Sequence, residues 1–248
     1  MLAPQGIVLK TLRVPVDRST SALVAGSPPP TPLPVREDDA VLLCELNHGL
    51  STGLFIDGHD LRRQIRPLAA GVEVLNLFAH TCAFSVHAAL AGATRVTSID
   101  SAKKALRRGR ENMSASGLDP DRHRWFPDDV LDHLARAGRR RDAYGLVILD
   151  PPVFGRAGKK SRALDLEALV SGAMSVTAPG GRLVVTVHAL DVASEVLKRQ
   201  VLELADRLGR RARIQAEFGL PEWDHPTRPS AADPADRGDY LKTLILSM

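Results

Sequence analysis

The sequence predicts an α/β fold: a doubly wound, mostly parallel, seven-stranded Rossmann-like sheet with a small β appendage at the N-terminus. Two observations predict it. From residue 72 to the C-terminus, short apolar runs alternate with helical runs, the order that produces a parallel sheet covered on both faces. Several of those runs, VEVLNLF (72–78) and AYGLVILD (143–150) above all, are strongly apolar, as buried strands are.

The elements follow in order. Residues 1–40 read as irregular. GIVLKTLRVPVD has room for a strand or two, and SPPPTPLP (27–34) is an extended proline-rich connector. VLLCEL (41–46) and TGLFID (52–57) are expected to form a hairpin across the polar NHGLS turn. HDLRRQIRPLA (59–69) places Leu61, Ile65 and Leu68 at helical spacing. Strand 72–78 leads to the small-residue helix 81–92, and strand RVTSID (95–100) to an amphipathic helix, 102–117, ending at Gly117. HRWF (123–126) is a short strand before helix 128–138. Strand 143–150, helix 164–176, strand 180–188, helix 192–208 and strands 213–218 and 240–247 complete the chain. This division gives an N-terminal extension with a hairpin, 1–57, and one α/β domain, 58–248.

Bulk properties exclude other classes. The 248 residues are enough for one large core, and 44% hydrophobic with 25% charged residues is an ordinary globular balance. No apolar run approaches the roughly 18 residues of a membrane span, and no apolar segment follows a basic N-terminal cluster. Cys44 and Cys82 lie in no CxxC or Cys/His cluster, so neither a disulfide framework nor a metal site is expected, and a reducing, cytoplasmic setting is. The formal charge is only +4, but the cations come in clumps. Examples are Lys103–Lys104 with Arg107–Arg108, and Arg156 with Lys159, Lys160 and Arg162. Such clumps can neutralise nucleic-acid phosphates; a solvated, arginine-rich surface is the competing reading.

Four features fall at carboxyl ends of strands, where open α/β sheets bind ligands. After VLNLF comes Ala79-His80-Thr81-Cys82-Ala83. Its small residues allow close backbone approach, and the helix N-terminus offers N–H groups to a carboxylate. Asp100 ends the next strand, placed to accept both hydroxyls of a ribose; a helix cap is the alternative. Asp128 and Asp129 end the third, where an acid can accept from an adenine amino group or cap the next helix. Asp150-Pro151-Pro152-Val153-Phe154 follows VILD. The double proline has no N–H and ends the strand in a rigid turn. Its carbonyls and the Asp150 carboxylate face the cleft, and Phe154 offers a ring for a planar base.

DPPVF, VLNLFAHTCAFSVHAALAGA, TGLFIDGHDLRR and the closing YLKTL, in this order, resemble class I S-adenosylmethionine (SAM)-dependent methyltransferases that modify bases of large-subunit ribosomal RNA. That group includes 5-methylcytosine enzymes with an N-terminal PUA domain and related guanine-N7 enzymes. The resemblance covers roughly residues 41–248 and implies SAM as cofactor. It implies that Phe78, His80, Thr81, Cys82 and Ala83 hold the methionine part. Asp100 and Ser101 then hold the ribose, Asp129 the adenine, and Asp150, Pro151, Pro152 and Phe154 flank the reacting base, with Asp150 also beside the cofactor. The loop bearing Lys159, Lys160 and Arg162 would contact RNA.

The chain departs from that pattern in places. Thr81-Cys82-Ala83 stands where the group has Thr-Gly-Gly or a similar small pair, and His59 replaces the first arginine after the hairpin. The N-terminal stretch is short for a PUA domain. After the fifth strand VTVHALD carries His188 and no cysteine, whereas C5 methylation of cytosine requires a covalent adduct. Transfer to a ring nitrogen with a free lone pair needs only alignment, so the expected reaction is non-covalent transfer to an RNA base nitrogen. The rival readings are a methyltransferase for a small molecule or protein, and a catalytically silent SAM- or RNA-binding module.

Overall fold

In a computed structural model, residues 4–11, 20–47, 51–152, 165–189, 192–220 and 240–248 are described. The chain opens on two small antiparallel hairpins. β1 (Gly6–Thr11) pairs with β2 (Thr20–Gly26), and β3 (Leu33–Glu37) with β4 (Ala40–Cys44). The second hairpin corrects the expected one. The strand near residue 41 pairs backward with 33–37, not forward with 52–57. The reason is local. Asp38-Asp39 makes a two-residue turn with Asp38 at φ 53°, a conformation aspartate tolerates better than most residues. Residues 52–57 form no strand: Thr52 accepts one bond from Glu45 N, Gly53 turns at φ 95°, and Ile56–Gly58 is a 3₁₀ turn.

α1 (His59–Ala69) leads into the large sheet. There follow β5 (Glu73–Leu77), α2 (Ala83–Leu90), β6 (Arg95–Asp100), α3 (Lys103–Ala115), β7 (Arg124–Pro127) and α4 (Val130–Arg140). β8 (Tyr144–Leu149), α5 (Leu166–Val176), β9 (Thr177–His188), α6 (Ser194–Arg207), β10 (Arg213–Phe218) and β11 (Leu241–Ser247) complete it. β9 begins at Thr177, ahead of the expected Gly180. Strand order is β10-β11-β9-β8-β5-β6-β7. β5 to β9 run parallel, and β11 is antiparallel to both neighbours.

Side-chain alternation divides the core into two layers. On β5, Val74 joins one layer and Leu75 and Leu77 the other. On β8, Leu146 and Ile148 face one way, Val147 and Leu149 the opposite way. α4, α5 and α6 cover one face; α1, α2, α3 and β4 cover the other. The second face also holds a buried charge cluster. Arg62 of α1 donates from Nε and Nη2 to Glu37 at 2.5 and 2.6 Å, and His87 Nε2 of α2 lies 3.0 Å from the same carboxylate. It ties the β3–β4 hairpin to two helices. Burial pushes the Glu37 carboxyl up, but the hydrogen bonds from Arg62 and His87 outweigh it and hold the group down at about 2.

Candidate active site

Strand order reverses between β5 and β8, so the turns after these strands flank the switch point of the sheet. The first turn is unusually tight. Phe78, His80 and Cys82 have φ of 58°, 49° and 64°. A side chain at positive φ costs roughly 1–2 kcal/mol, so this path is imposed by its surroundings. Ala79 N donates to Ile99 O at 2.9 Å, Asn112 Nδ2 to Thr81 O at 2.8 Å, and Thr81 Oγ1 to Gly53 O at 2.5 Å. Beneath the turn, Asn76 donates to Ser85 Oγ and Ser85 meets Ser98 Oγ, each at 2.8 Å. That buried chain fixes the first turn of α2 to β5 and β6. α2 begins at Ala83 with no side-chain cap and no acid in its first turn, which leaves its leading N–H groups available to an anion.

Asp100 belongs to the same constellation. Its Oδ2 accepts from His80 N and its Oδ1 from Ala102 N, both at 2.8 Å. The carboxylate therefore shapes the turn, and each oxygen keeps a further lone pair. Ser101 is exposed beside it. A cleft of about 320 Å³ opens alongside, lined by Ser51, Thr52, Gly53, His80, Thr81 and Ala102 among others. Burial holds His80 below the usual histidine range, against the pull of Asp100 and Asp150.

Asp129 caps α4: its Oδ1 accepts from Asp132 N at 3.1 Å. Asp128 is engaged by Arg136, with His133 Nδ1 at 3.4 Å. The capping alternative raised by the sequence is thus realised at Asp129, with one oxygen committed to the helix.

At the second turn, Asp150 precedes buried Pro151 and exposed Pro152. His188, the last residue of β9, brings Nε2 within 2.8 Å of Asp150 Oδ1. Its ring stacks on Tyr240 with centroids 6.4 Å apart and planes at 26°. The Tyr240 hydroxyl donates to Asp57 Oδ2 at 2.6 Å. Burial would lower the His188 pKa, but the bond to Asp150 and the charges of Asp150 and Asp57 raise it above the ordinary value. The sequence reading missed Asp57 and Tyr240 and registered His188 only as a non-cysteine. TGLFID and YLKTL carry the two residues, but nothing in the sequence couples positions so far apart. Phe154, Lys159, Lys160 and Arg162 lie outside the described residues.

Both cysteines are poor nucleophiles. Cys82 is fully buried and burial pushes its thiol up to about 12; burial also raises Cys44.

A five-stranded parallel frame with an antiparallel β11, an uncapped helix after β5 and an acid ending β6 defines a class of α/β protein that binds a nucleoside-bearing cofactor at the switch point. Residues 5–230 match the S-adenosylmethionine-dependent methyltransferase family, and the chain belongs to that family. It is 34% identical over 218 residues to YwbD of Bacillus subtilis (strain 168), covering 87% of this chain and 54% of that protein. It is 30% identical over 230 residues to ribosomal RNA large subunit methyltransferase I of Erwinia tasmaniensis, covering 90% and 56%. Among solved structures it resembles SMU.776 complexed with SAH, the product of SAM. The TM-score is 0.85 at 28% identity, over 98% of this chain and 62% of that one. The chain thus spans little more than half the length of these two sequence relatives.

Proposed function

We propose that this protein transfers a methyl group from SAM to a base nitrogen of RNA, without a covalent enzyme–base adduct. The residues of the first turn fit the cofactor. The open N–H groups of α2, beside Phe78, His80, Thr81, Cys82 and Ala83, take the methionine carboxylate. Asp100, with Ser101 beside it, takes the ribose hydroxyls, and Asp129 stands at the adenine end. When bound, SAM supplies an electrophilic methyl group on a sulfonium. Asp150, held by His188, fixes the edge of the acceptor base, and the carbonyls of Pro151 and Pro152 offer acceptors without competing N–H groups. Catalysis of this kind rests on proximity and orientation.

The observation that carries the non-covalent reading is the state of the thiols. The chain has two cysteines; both are buried with raised pKa, and His188 occupies the end of β9. An RNA substrate is supported by the name of the Erwinia tasmaniensis relative. Phe154 as a base-contacting ring and Lys159, Lys160 and Arg162 as phosphate contacts complete the reading, and a cytoplasmic location agrees with it.

Calorimetry and methyl transfer from labelled SAM to total RNA test the proposal. Wild type is expected to bind SAM at micromolar concentration and to label RNA. Asp100→Ala should weaken SAM at least tenfold, since a bidentate charged contact is worth roughly 1.5–3 kcal/mol. Replacing both cysteines with alanine should leave transfer largely intact. No SAM binding by wild type would remove the reading; a folded, SAM-binding double variant without transfer would restore the covalent route.

A further inference from the structure

The segment before Asp57 exposes what the fold does not need exposed. Leu54 packs toward the core, but Phe55 is 59% and Ile56 63% exposed. A phenylalanine in water forgoes the burial that normally stabilises it. The backbone beneath is nonetheless anchored on both sides. Gly53 O accepts from Thr81 Oγ1, and Asp57 accepts from Tyr240. Phe55 is therefore presented outward from an anchored stretch of backbone.

Its place is the mouth of the site. The Phe55 ring lies 5.1 Å from that of His80, inclined at 43°, so it touches the first turn. Two residues on, Asp57 begins the chain Asp57–Tyr240–His188–Asp150 that ends on the second turn. Phe55 thus touches the first turn that flanks the switch point, and its own segment is tied at Asp57, through Tyr240 and His188, to the second. The other exposed phenylalanine among the described residues, Phe126, lies on edge strand β7 against His133 and has no such position.

We propose that Phe55 is a second stacking surface for the acceptor base, additional to the ring assigned above to Phe154, and binds a nucleobase taken out of its stack in RNA. The proposal rests on the RNA-methyltransferase reading above. An unstacked base presents two apolar π-faces and polar edges. An exposed ring beside a polar turn matches that division: the ring takes a face, and the groups on the second turn take an edge. Stacking is tolerant of base identity, so Phe55 contributes to affinity and alignment and leaves base choice to the edge contacts.

The test compares Phe55→Ala, Phe55→Leu and Phe55→Trp with wild type in three measurements: kcat/KM for labelled-SAM transfer to RNA, SAM Kd by calorimetry, and thermal melting. Phe55→Ala should lower kcat/KM about tenfold to a hundredfold, with SAM Kd within about twofold and the melting temperature unchanged, as expected of an exposed side chain. Phe55→Trp should restore most of the activity, and its added fluorescence should be quenched by RNA in the absence of SAM. Phe55→Leu should stay impaired, because it fills space without a π-face. Full activity in Phe55→Ala, equal rescue by leucine, or a tenfold loss of SAM binding would each overturn the stacking role. A wild type that binds SAM yet transfers nothing to RNA defeats the RNA reading and this proposal together. An active wild type with an active Phe55→Ala defeats only the proposal.

Discussion

Two histidine–carboxylate networks organise this molecule, and they differ in how completely they are enclosed. Under the second face of the sheet, Glu37, Arg62 and His87 are at most 9% exposed as side chains, and Arg62 and His87 approach Glu37 at 2.5 to 3.0 Å. At the sheet's end, His188 and Asp150 are 21% and 25% exposed and meet through one carboxylate oxygen. The first network joins the β3–β4 hairpin to α1 and α2; the second joins the 3₁₀ turn, β8, β9 and the start of β11. The closed network fixes how elements pack. The open one fixes side chains that can still meet a ligand. Polar clusters of similar composition thus have different roles according to burial.

The largest expected effect comes from breaking the closed network. Arg62→Ala leaves the Glu37 carboxylate buried without its main partner, which costs about 3–5 kcal/mol. At roughly 2–4 °C per kcal/mol for a chain of this size, melting should fall by about 6 to 20 °C. Methyl transfer below the new transition should remain near wild type. Acid offers the same break without mutation. The Glu37 pKa is lowered to about 2, so its contribution is complete above the unfolded value and is lost as pH falls from about 4.5 toward 2. Calorimetric melting across that range should show a steeper acid limb in wild type than in Glu37→Gln. Equal limbs would mean that the cluster is not what holds the hairpin.

The open network should respond in function before stability. His188→Ala removes a partly exposed pair, worth about 0–1 kcal/mol, so melting should move little. kcat should fall about tenfold, because the Asp150 carboxylate loses its fixed orientation, while SAM Kd changes by less than about twofold. His188→Gln keeps a donor and should recover part of the rate. The sign with pH is opposite to that of Glu37. The His188 pKa is raised, so the pair's contribution is present below the unfolded value near 6.5 and is lost as pH rises through the higher folded value. A wild-type alkaline loss of kcat that disappears in His188→Gln is the expected signature. The same alkaline loss in the variant would assign it to another group.

What the sequence made legible follows the range of the interactions. The parallel strands and their helices were visible because apolar period and turn residues act locally: β6 and β10 match the reading at both ends, and α1 matches at 59–69. The hairpin was misread because its two-aspartate turn is short and its partner strand starts within a proline-rich run. Of the candidate site, Asp100 and Asp150 were legible as acids ending strands. The alliance of Asp57 with Tyr240, and of His188 with Asp150, depends on which strand ends the topology gathers. No local pattern encodes that. Nor could sequence show that Arg62, in a motif near the site, is turned inward to Glu37.

The smallest expected effect is that of Cys82→Gly, on the buried side of the turn after β5. Cys82 has φ 64°, a backbone region that favours glycine, and its side chain fills a space against α3. That space exists because position 109 is glycine: a Cβ there would fall 2.8 Å from Cys82 Cβ and closer still to Sγ. The Cys82 side chain and the bare Cα of Gly109 are therefore matched across one contact. Gly109→Ala alone should cost about 1–3 kcal/mol through overpacking. Cys82→Gly alone relieves the positive φ but opens a void and adds chain entropy, so the net change should stay within about 1 kcal/mol. In the double variant the new methyl occupies the space the thiol left. It should recover most of the Gly109→Ala loss, with Trp125, 3.2 Å from the added carbon, giving way slightly. A double-mutant cycle by thermal and urea unfolding should return a favourable coupling of about 1 kcal/mol or more, with SAM affinity preserved in Cys82→Gly. Simple additivity would show that the turn's path is set by Asp100 and Asn112 alone, and that Cys82 is only tolerated there.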